Sequence, residues 1–405
     1  MRKPTRKQLL AILACGATLA LSACSVSSGS SPSSASSTAS SAASAGPIVF
    51  GAAVPLSGVV AVSGRQLESA LDASATYINN HGGIKGRKLE WKFEDDGFPS
   101  GSQAATAVRA LVADNVVGIL NFGTPGVSAT YKYLVQQGVP DLILFSGLTA
   151  FEPLDPTAAS VYTDYKTQGE ALGEYAAQKY PGEKVSVLYE NDDLGQSYLN
   201  GFKAKDPHIA VAEPYASTDV DFTSQLNAMK ASNAPLAACF CLSPEIAQML
   251  KFRQSNSWNP PVITESSNAG AGLVSAVGAS LTQNVISNDF FPPTSGSGST
   301  SAITSLVSSM TSIDSSVPLT SFTVVAAALN QLIEKVADNS SAPLTRQSFA
   351  TALHSTQVTG AWYGKTSTEP SADDRSIFSC WRPTVIQSGV SVPTGSVTCE
   401  SDLSG

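Results

Sequence analysis

Two pairs of adjacent carboxylates, Asp95-Asp96 and Asp192-Asp193, are the raw material for acid–base or metal chemistry. Their spacing argues against that use. Neighbouring residues at a strand end point in different directions, and both pairs fall at turn positions where Asp caps a helix. The three histidines, His81, His208 and His354, lie in a loop, near a strand start and near a helix end. None belongs to a nucleophile motif. The sequence has no Gly-x-Ser-x-Gly elbow, no phosphate-binding loop and no His-Glu-x-x-His pair. Catalysis is not expected, and no metal or other cofactor is implied.

Of the six cysteines, Cys239 and Cys241 sit two apart in an apolar segment and would share one face of a strand. They read as buried small apolar residues rather than as a redox or metal pair, since no Cys or His cluster completes a zinc site. Cys380 and Cys399 flank a late Gly/Pro-containing stretch and are a candidate disulfide for an oxidising compartment.

The elements that would position any site alternate in type. Ile48–Val54 has a buried-strand pattern, followed by a Pro55-Leu56-Ser57-Gly58 turn. Leu67, Ala70, Leu71, Ala75 and Ile78 then form a helical stripe that Gly82-Gly83 ends. A strand at 89–93, a helix at 102–114, a strand at 116–121, a helix at 126–137 and a strand at 139–146 follow. After about residue 165 the alternation restarts: helices at 167–180, 195–205, 221–231 and 244–256 separate strands at 185–189, 209–211, 235–241 and 261–264, and a strand at 284–290 follows. Later helices fall near 300–312, 319–337 and 345–355, before a β-rich end at 377–387. Strands spaced by helices predict parallel sheets covered on both faces, and two such runs predict two lobes.

In open parallel sheets, ligands sit beyond the carboxyl ends of the strands, where helix N-termini offer free N–H groups. Two loops meet that description: Asn121-Phe122-Gly123-Thr124 and Ser146-Gly147-Leu148-Thr149. A ligand carboxylate could be held there without a cationic side chain. Glu245 reads instead as a first-turn helix residue favoured by the dipole.

The chain begins with a positive segment, Arg2, Lys3, Arg6 and Lys7, and an apolar run from Leu9 to Leu21. That run is shorter than the ~20 residues a bilayer span needs and suits a secretory signal. It ends in Leu21-Ser22-Ala23-Cys24, which resembles a bacterial lipobox; the resemblance implies that Cys24 is lipidated and becomes the mature N-terminus. The signal peptide is thus read as 1–23, and 24–46 as a Ser-rich flexible tether with a reach of about 25 Å. Net charge is −8, and loss of the four signal cations takes it to −12. An acidic, Lys-poor chain argues against nucleic acid as a partner.

Several stretches resemble branched-chain amino-acid binding proteins of ABC transporters. These are Pro55-Leu56-Ser57-Gly58, Gly64, the run from Ile78 through Asn79-Asn80-His81-Gly82-Gly83-Ile84-Lys85-Gly86 to Arg87, and Glu94-Asp95-Asp96. Val187 to Gly195, with its Asn191-Asp192-Asp193-Leu194-Gly195 turn, and Pro244 to Leu250 agree, as does Ser321-Phe322-Thr323 at a helix start. The resemblance covers roughly 47–390. It implies an α/β, two-lobed type I periplasmic-binding-protein fold, each lobe a parallel sheet flanked by helices, with three hinge crossings near 163–165, 290–292 and 358–362. Lobe 1 would be 47–163 plus 292–360, and lobe 2 would be 164–291 plus 361–405.

The same resemblance assigns roles. The loop of Ser146, Gly147, Leu148 and Thr149 matches contacts to a ligand carboxylate, with Gly147 and Thr149 foremost. Phe122, Gly123 and Thr124 stand where the family commonly has Ser. Glu265, after Val262-Ile263-Thr264, matches the acceptor for a ligand ammonium. Leu194 and Ser63 stand where aromatic walls are often found, which implies a differently shaped pocket. The implied protein is a monomeric, lipid-anchored solute-binding protein outside the cell membrane. It would deliver an amino acid or related small molecule to an ABC permease. A sensory receptor of the same fold and, remotely, a secreted hydrolase are the alternatives.

Overall fold

Apolar runs too continuous to leave a face in water force the first strand into the middle of a sheet. β1 (Ile48–Val54) buries every residue except Val49, which is half-buried. That is the pattern of a parallel strand covered on both faces. The computed structural model of which it is part describes residues 46–403, except 59, 269, 297–298, 342, 359–365 and 368–375. The signal segment, Cys24 and the tether up to residue 45 lie outside the described residues.

α1 (Ala61–Asn80) lays Leu67, Ala70, Leu71, Ala75 and Ile78 on the core, the stripe read from the sequence. It leads to β2 (Leu89–Asp95), α2 (Gly101–Ala113), β3 (Ile119–Phe122), α3 (Gly123–Gln137), β4 (Asp141–Leu144) and β5 (Ala158–Tyr162). The second run is α4 (Tyr165–Lys179), β6 (Val185–Glu190), α5 (Asp193–Lys205), β7 (Ile209–Tyr215), α6 (Thr223–Ala231), β8 (Leu236–Phe240), α7 (Ser243–Ser255), β9 (Val262–Thr264), α8 (Ala271–Val277) and β10 (Val285–Asp289). Then come α9 (Ser301–Ile313), α10 (Ser321–Asn339), α11 (Arg346–Leu353), β11 (Gln357–Val358), β12 (Thr366–Ser367), β13 (Ser376–Phe378), β14 (Cys380–Gln387), β15 (Val390–Pro393) and β16 (Thr398–Cys399).

The strands make two principal sheets. One has the order β13-β5-β4-β3-β1-β2 and is parallel throughout. The other runs β15-β14-β10-β9-β8-β6-β7, with β14 antiparallel to β10 and with β16 beside β14. The chain therefore passes between the sheets three times: after β5, after β10, and between Phe378 and Cys380. The third passage lies at Ser379, downstream of the expected 358–362, because Ser376 and Phe378 still pair with β5 of the first sheet. Leu403 also packs into the first sheet's core.

Two features depart from the sequence reading. β5, Ala-Ala-Ser-Val-Tyr between prolines and a helix, was not expected as a strand, yet all five residues are buried. β7 runs through Pro214, which an edge strand tolerates because one side of its ladder is unpaired.

α10 carries the central helix packing of the first lobe against α1. Val324 through Leu329, Leu332, Ile333 and Val336 are all buried, and truncating one such Leu to Ala costs about 2–5 kcal/mol. Within this face Asn330 accepts from Trp91 Nε1 at 3.0 Å and donates to the Leu71 carbonyl at 2.9 Å. Among the described residues no helix is long and apolar enough to cross a membrane.

Cys380 and Cys399 are bonded, as proposed from their spacing, and stand opposite each other on β14 and β16. Cys239 and Cys241 need correction. Both are fully buried, as expected of small apolar residues, but they are bonded to each other, with Cα atoms 5.3 Å apart. Their placement on one side of the strand end, across the intervening Phe240, brings the two sulfurs together.

Candidate functional site

Each parallel strand of the first sheet ends in, or just before, an apolar side chain, and most of these are aromatic. Phe98 follows β2 and Leu56 follows β1. Phe122 ends β3, Phe145 follows β4, Tyr162 ends β5 and Phe378 ends β13. The rings touch in series: Phe98 to Phe122 at 6.1 Å between centroids, Phe122 to Phe145 at 5.4 Å, and Phe145 to Tyr162 at 5.4 Å. Phe322, in the first turn of α10, meets Phe145 at 5.6 Å. Past β10, Phe290 lies 4.8 Å from Tyr162, and Phe291 lies 5.0 Å from Phe378. Phe98, Phe145 and Phe322 stay half-buried at the edge of this row.

The second sheet ends differently. β6 finishes in Glu190, with Asp192 two residues on; Glu245 stands in the first turn of α7 after β8; Glu265 follows β9; and Asp289 finishes β10. Glu190 and Glu265 are each only 5 % exposed. Burial pushes Glu265 up to about 7, although the Ser267 backbone N–H donates to its carboxylate at 2.7 Å and the Ser267 hydroxyl donates as well. Burial also lifts Glu190 to about 7, helped by the negative neighbours Asp192 and Glu245. Asp289 rises to about 6 for the same desolvation reason. A buried carboxylate with no counter-ion disfavours its own charge.

Tyr165 connects the two edges. It is the first residue of α4, two residues past Thr163, and its ring belongs to the core of the second lobe with Leu172 and Tyr198. Its hydroxyl is 2.7 Å from the Thr124 hydroxyl and donates to the Phe145 carbonyl at 3.3 Å. Its backbone N–H donates to the Gly147 carbonyl at 3.1 Å. A Cβ on Gly147 would lie 2.5 Å from that nitrogen, so glycine is required for the approach. Gly123 is held at φ +71°, and a Cβ there would lie 2.9 Å from the Phe98 ring; both facts explain why the chain turns from β3 into α3 on glycine.

The residues singled out from sequence thus separate into groups. Phe122, Gly123 and Thr124 gather at the first edge, with Gly147 beside them. Glu265 stands at the second edge, and its charge reaches Tyr162, Tyr165 and Tyr198. Leu148 turns into a core with Val127, Tyr131 and Leu154. Leu194 packs behind Tyr165 with Leu172 and Tyr198. Ser146 is 5 % exposed, and its hydroxyl has no hydrogen-bond partner among the described residues; it lines a small cavity with Val127, Ile143 and Leu154. Ser63 is half-buried in the first turn of α1, its N–H bonded to the Val60 carbonyl at 3.0 Å. Thr149 opens a 3-10 turn (Thr149–Phe151), and its side chain lies outside the described residues. Cys24 lies outside them too.

Sequence reasoning missed Phe98, Phe145, Tyr162, Tyr165, Phe322 and Glu190. Phe122 and Phe145 had a readable signal, since each stands at or just beyond the end of an apolar strand run, whereas Tyr162 ends a strand the sequence did not announce. Tyr165 had none: only the pairing of the two lobes gives its hydroxyl the Thr124 partner.

Comparison with known proteins gives the same picture of the chain. The family model described as periplasmic binding protein matches residues 47–390. The Leu/Ile/Val-binding protein homolog 3 of Brucella melitensis is 27 % identical over 198 residues, covering 46 % of this chain and 52 % of that protein. The chain thus spans about half the length of that curated relative. Among solved structures, the branched-chain amino acid transporter substrate-binding protein of Streptococcus pneumoniae in complex with isoleucine superposes with a TM-score of 0.76 at 16 % identity, over 86 % of this chain and 100 % of that one. A solute-binding protein from R. palustris in complex with 4-hydroxybenzoate gives 0.77 at 17 % identity, over 88 % and 98 %. At such identities the likeness is one of fold.

Proposed function

Because the chain belongs to the periplasmic binding protein family, we propose that it is an extracytoplasmic solute-binding lipoprotein, anchored through Cys24, that encloses an amino acid or related amine and passes it to an ABC importer. The observation that carries this reading is Glu265, a carboxyl buried at the carboxyl end of the second sheet, pushed up to about 7 by burial and without a cationic partner among the described residues. A ligand ammonium supplies the missing charge. The first sheet's aromatic row supplies an apolar wall for the rest of the molecule.

The mechanism is a shift of population between open and closed arrangements of the two lobes, with ligand contacts from both sides favouring closure. Reversing a 1:99 ratio needs about 5.5 kcal/mol of differential affinity. A charge pair formed away from water, together with one buried ring-sized body, is of that order. The protein would act as a monomer on its permease and carry out no chemistry on its load. The isoleucine and 4-hydroxybenzoate complexes of its structural relatives support a small organic ligand without choosing one.

A thermal-shift screen of the full chain against amino acids, amines and aromatic acids tests the reading, since a ligand stabilises by RT ln(1 + [L]/Kd). Hits must also bind in calorimetry and contract the scattering envelope. A chain that responds to no member of such a panel is not a solute receptor of this class.

A further inference from the structure

We infer that the ligand is an amine carrying a ring-sized apolar body and needing no carboxylate of its own. This deepens the solute-binding reading and rests on it.

The strand ends of the two sheets differ in chemistry. The first sheet's strand ends form a continuous row of rings, from Phe98 through Phe122, Phe145 and Tyr162. The second sheet's strand ends present Glu190, Asp192, Glu265 and Asp289. Beside Asp289, Asn288 is 5 % exposed and neither atom of its amide has a partner among the described residues. The unmet Asn288 Oδ1, one residue from Asp289, is an acceptor that a hydrogen-bonding cation can satisfy. Aromatic faces add attraction for a cation within about 6 Å of the ring.

Thr124, one of the hydroxyls read from sequence beside the carboxylate loop, is already engaged from within. The Thr124 hydroxyl is 2.7 Å from the Tyr165 hydroxyl, and the Gly147 carbonyl accepts from the Tyr165 N–H at 3.1 Å. A free carboxylate arriving at Thr124 would have to displace Tyr165, and it would also bring negative charge toward Glu265, whose charge is already felt at Tyr165.

Three cations near the strand ends, Arg65, Arg382 and Lys166, are each held by a group of the chain. Arg65 donates to the Leu56 carbonyl at 2.8 Å, Arg382 donates to the Gly395 carbonyl at 3.0 Å, and Lys166 pairs with Glu170 one helical turn away. All three bonds are made to groups of the chain itself. On the first lobe, Asp96 adds a further buried acid, 2 % exposed with one oxygen unpartnered among the described residues. Arg65 and Arg382 keep their charge on neutral carbonyls, but the acids Asp96, Glu190, Asp192, Glu265 and Asp289 at the strand ends outnumber them, which favours a positive guest.

Three probes with one body and different heads decide the matter: phenethylamine, L-phenylalanine and 3-phenylpropionate, each titrated calorimetrically into the full chain at pH 8. Phenethylamine is expected to bind at least tenfold more tightly than phenylalanine, and phenylpropionate to give no heat of binding. Glu265→Gln is expected to weaken phenethylamine at least tenfold. Tyr165→Phe, which frees the Thr124 hydroxyl, is expected to improve phenylalanine relative to phenethylamine at least fivefold. Tighter binding of phenylalanine or phenylpropionate in the wild type would overturn the inference while leaving a solute-binding protein. So would phenethylamine affinity indifferent to Glu265→Gln. Silence from all three probes also overturns it, and the wider amino-acid and metabolite panel then decides whether the solute-binding reading falls with it.

Discussion

If Glu265 holds a ligand ammonium, the affinity for an amine must depend on pH, with a sign and size set by the site. The free carboxyl is pushed up to about 7 by burial, so only its ionised fraction is competent. At a value near 7 that fraction is ~9 % at pH 6 and ~91 % at pH 8, and apparent Kd scales inversely with it. Binding should therefore tighten about tenfold between pH 6 and pH 8, with about one proton released per ligand bound at pH 6. The nearest ionisable neighbours reinforce the assignment. Tyr162, Tyr165 and Tyr198 are all pushed above the usual tyrosine range by burial and by the Glu265 charge, so they stay neutral throughout this window. Glu190 is also pushed to about 7 and Asp289 to about 6, so Glu190→Gln and Asp289→Asn serve as controls. Calorimetry in buffers of different ionisation enthalpy separates proton release from intrinsic heat. In Glu265→Gln the residual affinity should be flat over the window. A wild-type profile without slope, or a slope that survives Glu265→Gln but disappears in Glu190→Gln, would refute the role given to Glu265.

Other consequences follow from the same geometry. Asp141 is 1 % exposed, and burial lifts it to about 7, with Asn121 Nδ2 donating to it at 3.3 Å. A carboxyl raised in the folded state contributes stability that is full below its unfolded value, ~4, and is lost as pH rises through about 7. The empty protein should melt several degrees higher at pH 5 than at pH 8, and Asp141→Asn should raise the melting temperature at pH 8 but not at pH 5, by scanning calorimetry. Gly147→Ala would place a methyl 2.5 Å from the Tyr165 nitrogen; a loss of about 1–3 kcal/mol is expected in urea unfolding. Replacing Cys380 and Cys399 by Ser opens a bond between residues 19 apart in sequence, with an expected loss of about 3 kcal/mol, whereas reduction should leave the wild type at the level of that double variant plus any contribution from Cys239–Cys241.

The periodicity of the chain made the fold legible because its strands are short, apolar and regularly interrupted. Leu67 through Ile78 and Val262 through Thr264 lie where their patterns put them. β5 escaped because Ala158-Ala159-Ser160 carries little strand preference by itself and becomes a strand only when β4 and β13 close on either side of it. The third passage between sheets escaped for a related reason: Ser376–Phe378 is a short strand whose membership is set by pairing with β5, a contact more than 200 residues away in sequence. At the site, Glu265 could be proposed because the family resemblance places an acid directly after the Val262–Thr264 strand. Leu148, which also lines the small cavity beside Ser146, and Leu194 both pack inward, and a leucine beside a loop turns inward or outward according to neighbours that the local sequence does not contain. Their partners, Val127 and Leu154 for one and Tyr165 and Tyr198 for the other, come from other elements.

Tyr165 also constrains how closure can be driven. It stands three residues past Tyr162, the last residue of β5, and so lies within the first passage between the lobes. Its bonds to Thr124, Phe145 and Gly147 are therefore made close to the hinge. Contacts so near a rotation axis change little as the lobes swing, and an interaction equal in both states shifts no equilibrium. On the proposed mechanism the differential energy would come from groups carried farther from the passage on separate elements, namely Glu265 after β9, Glu190 at the end of β6 and the half-buried Phe322 on α10. Glu265→Gln should then weaken ligand-induced contraction in solution scattering in proportion to its loss of affinity. Tyr165→Phe should alter which head group is accepted while leaving the amplitude of contraction at saturating ligand unchanged. If instead Tyr165→Phe abolished contraction with ligand still bound, closure would be governed at the hinge, and the charge in the cleft would serve affinity alone.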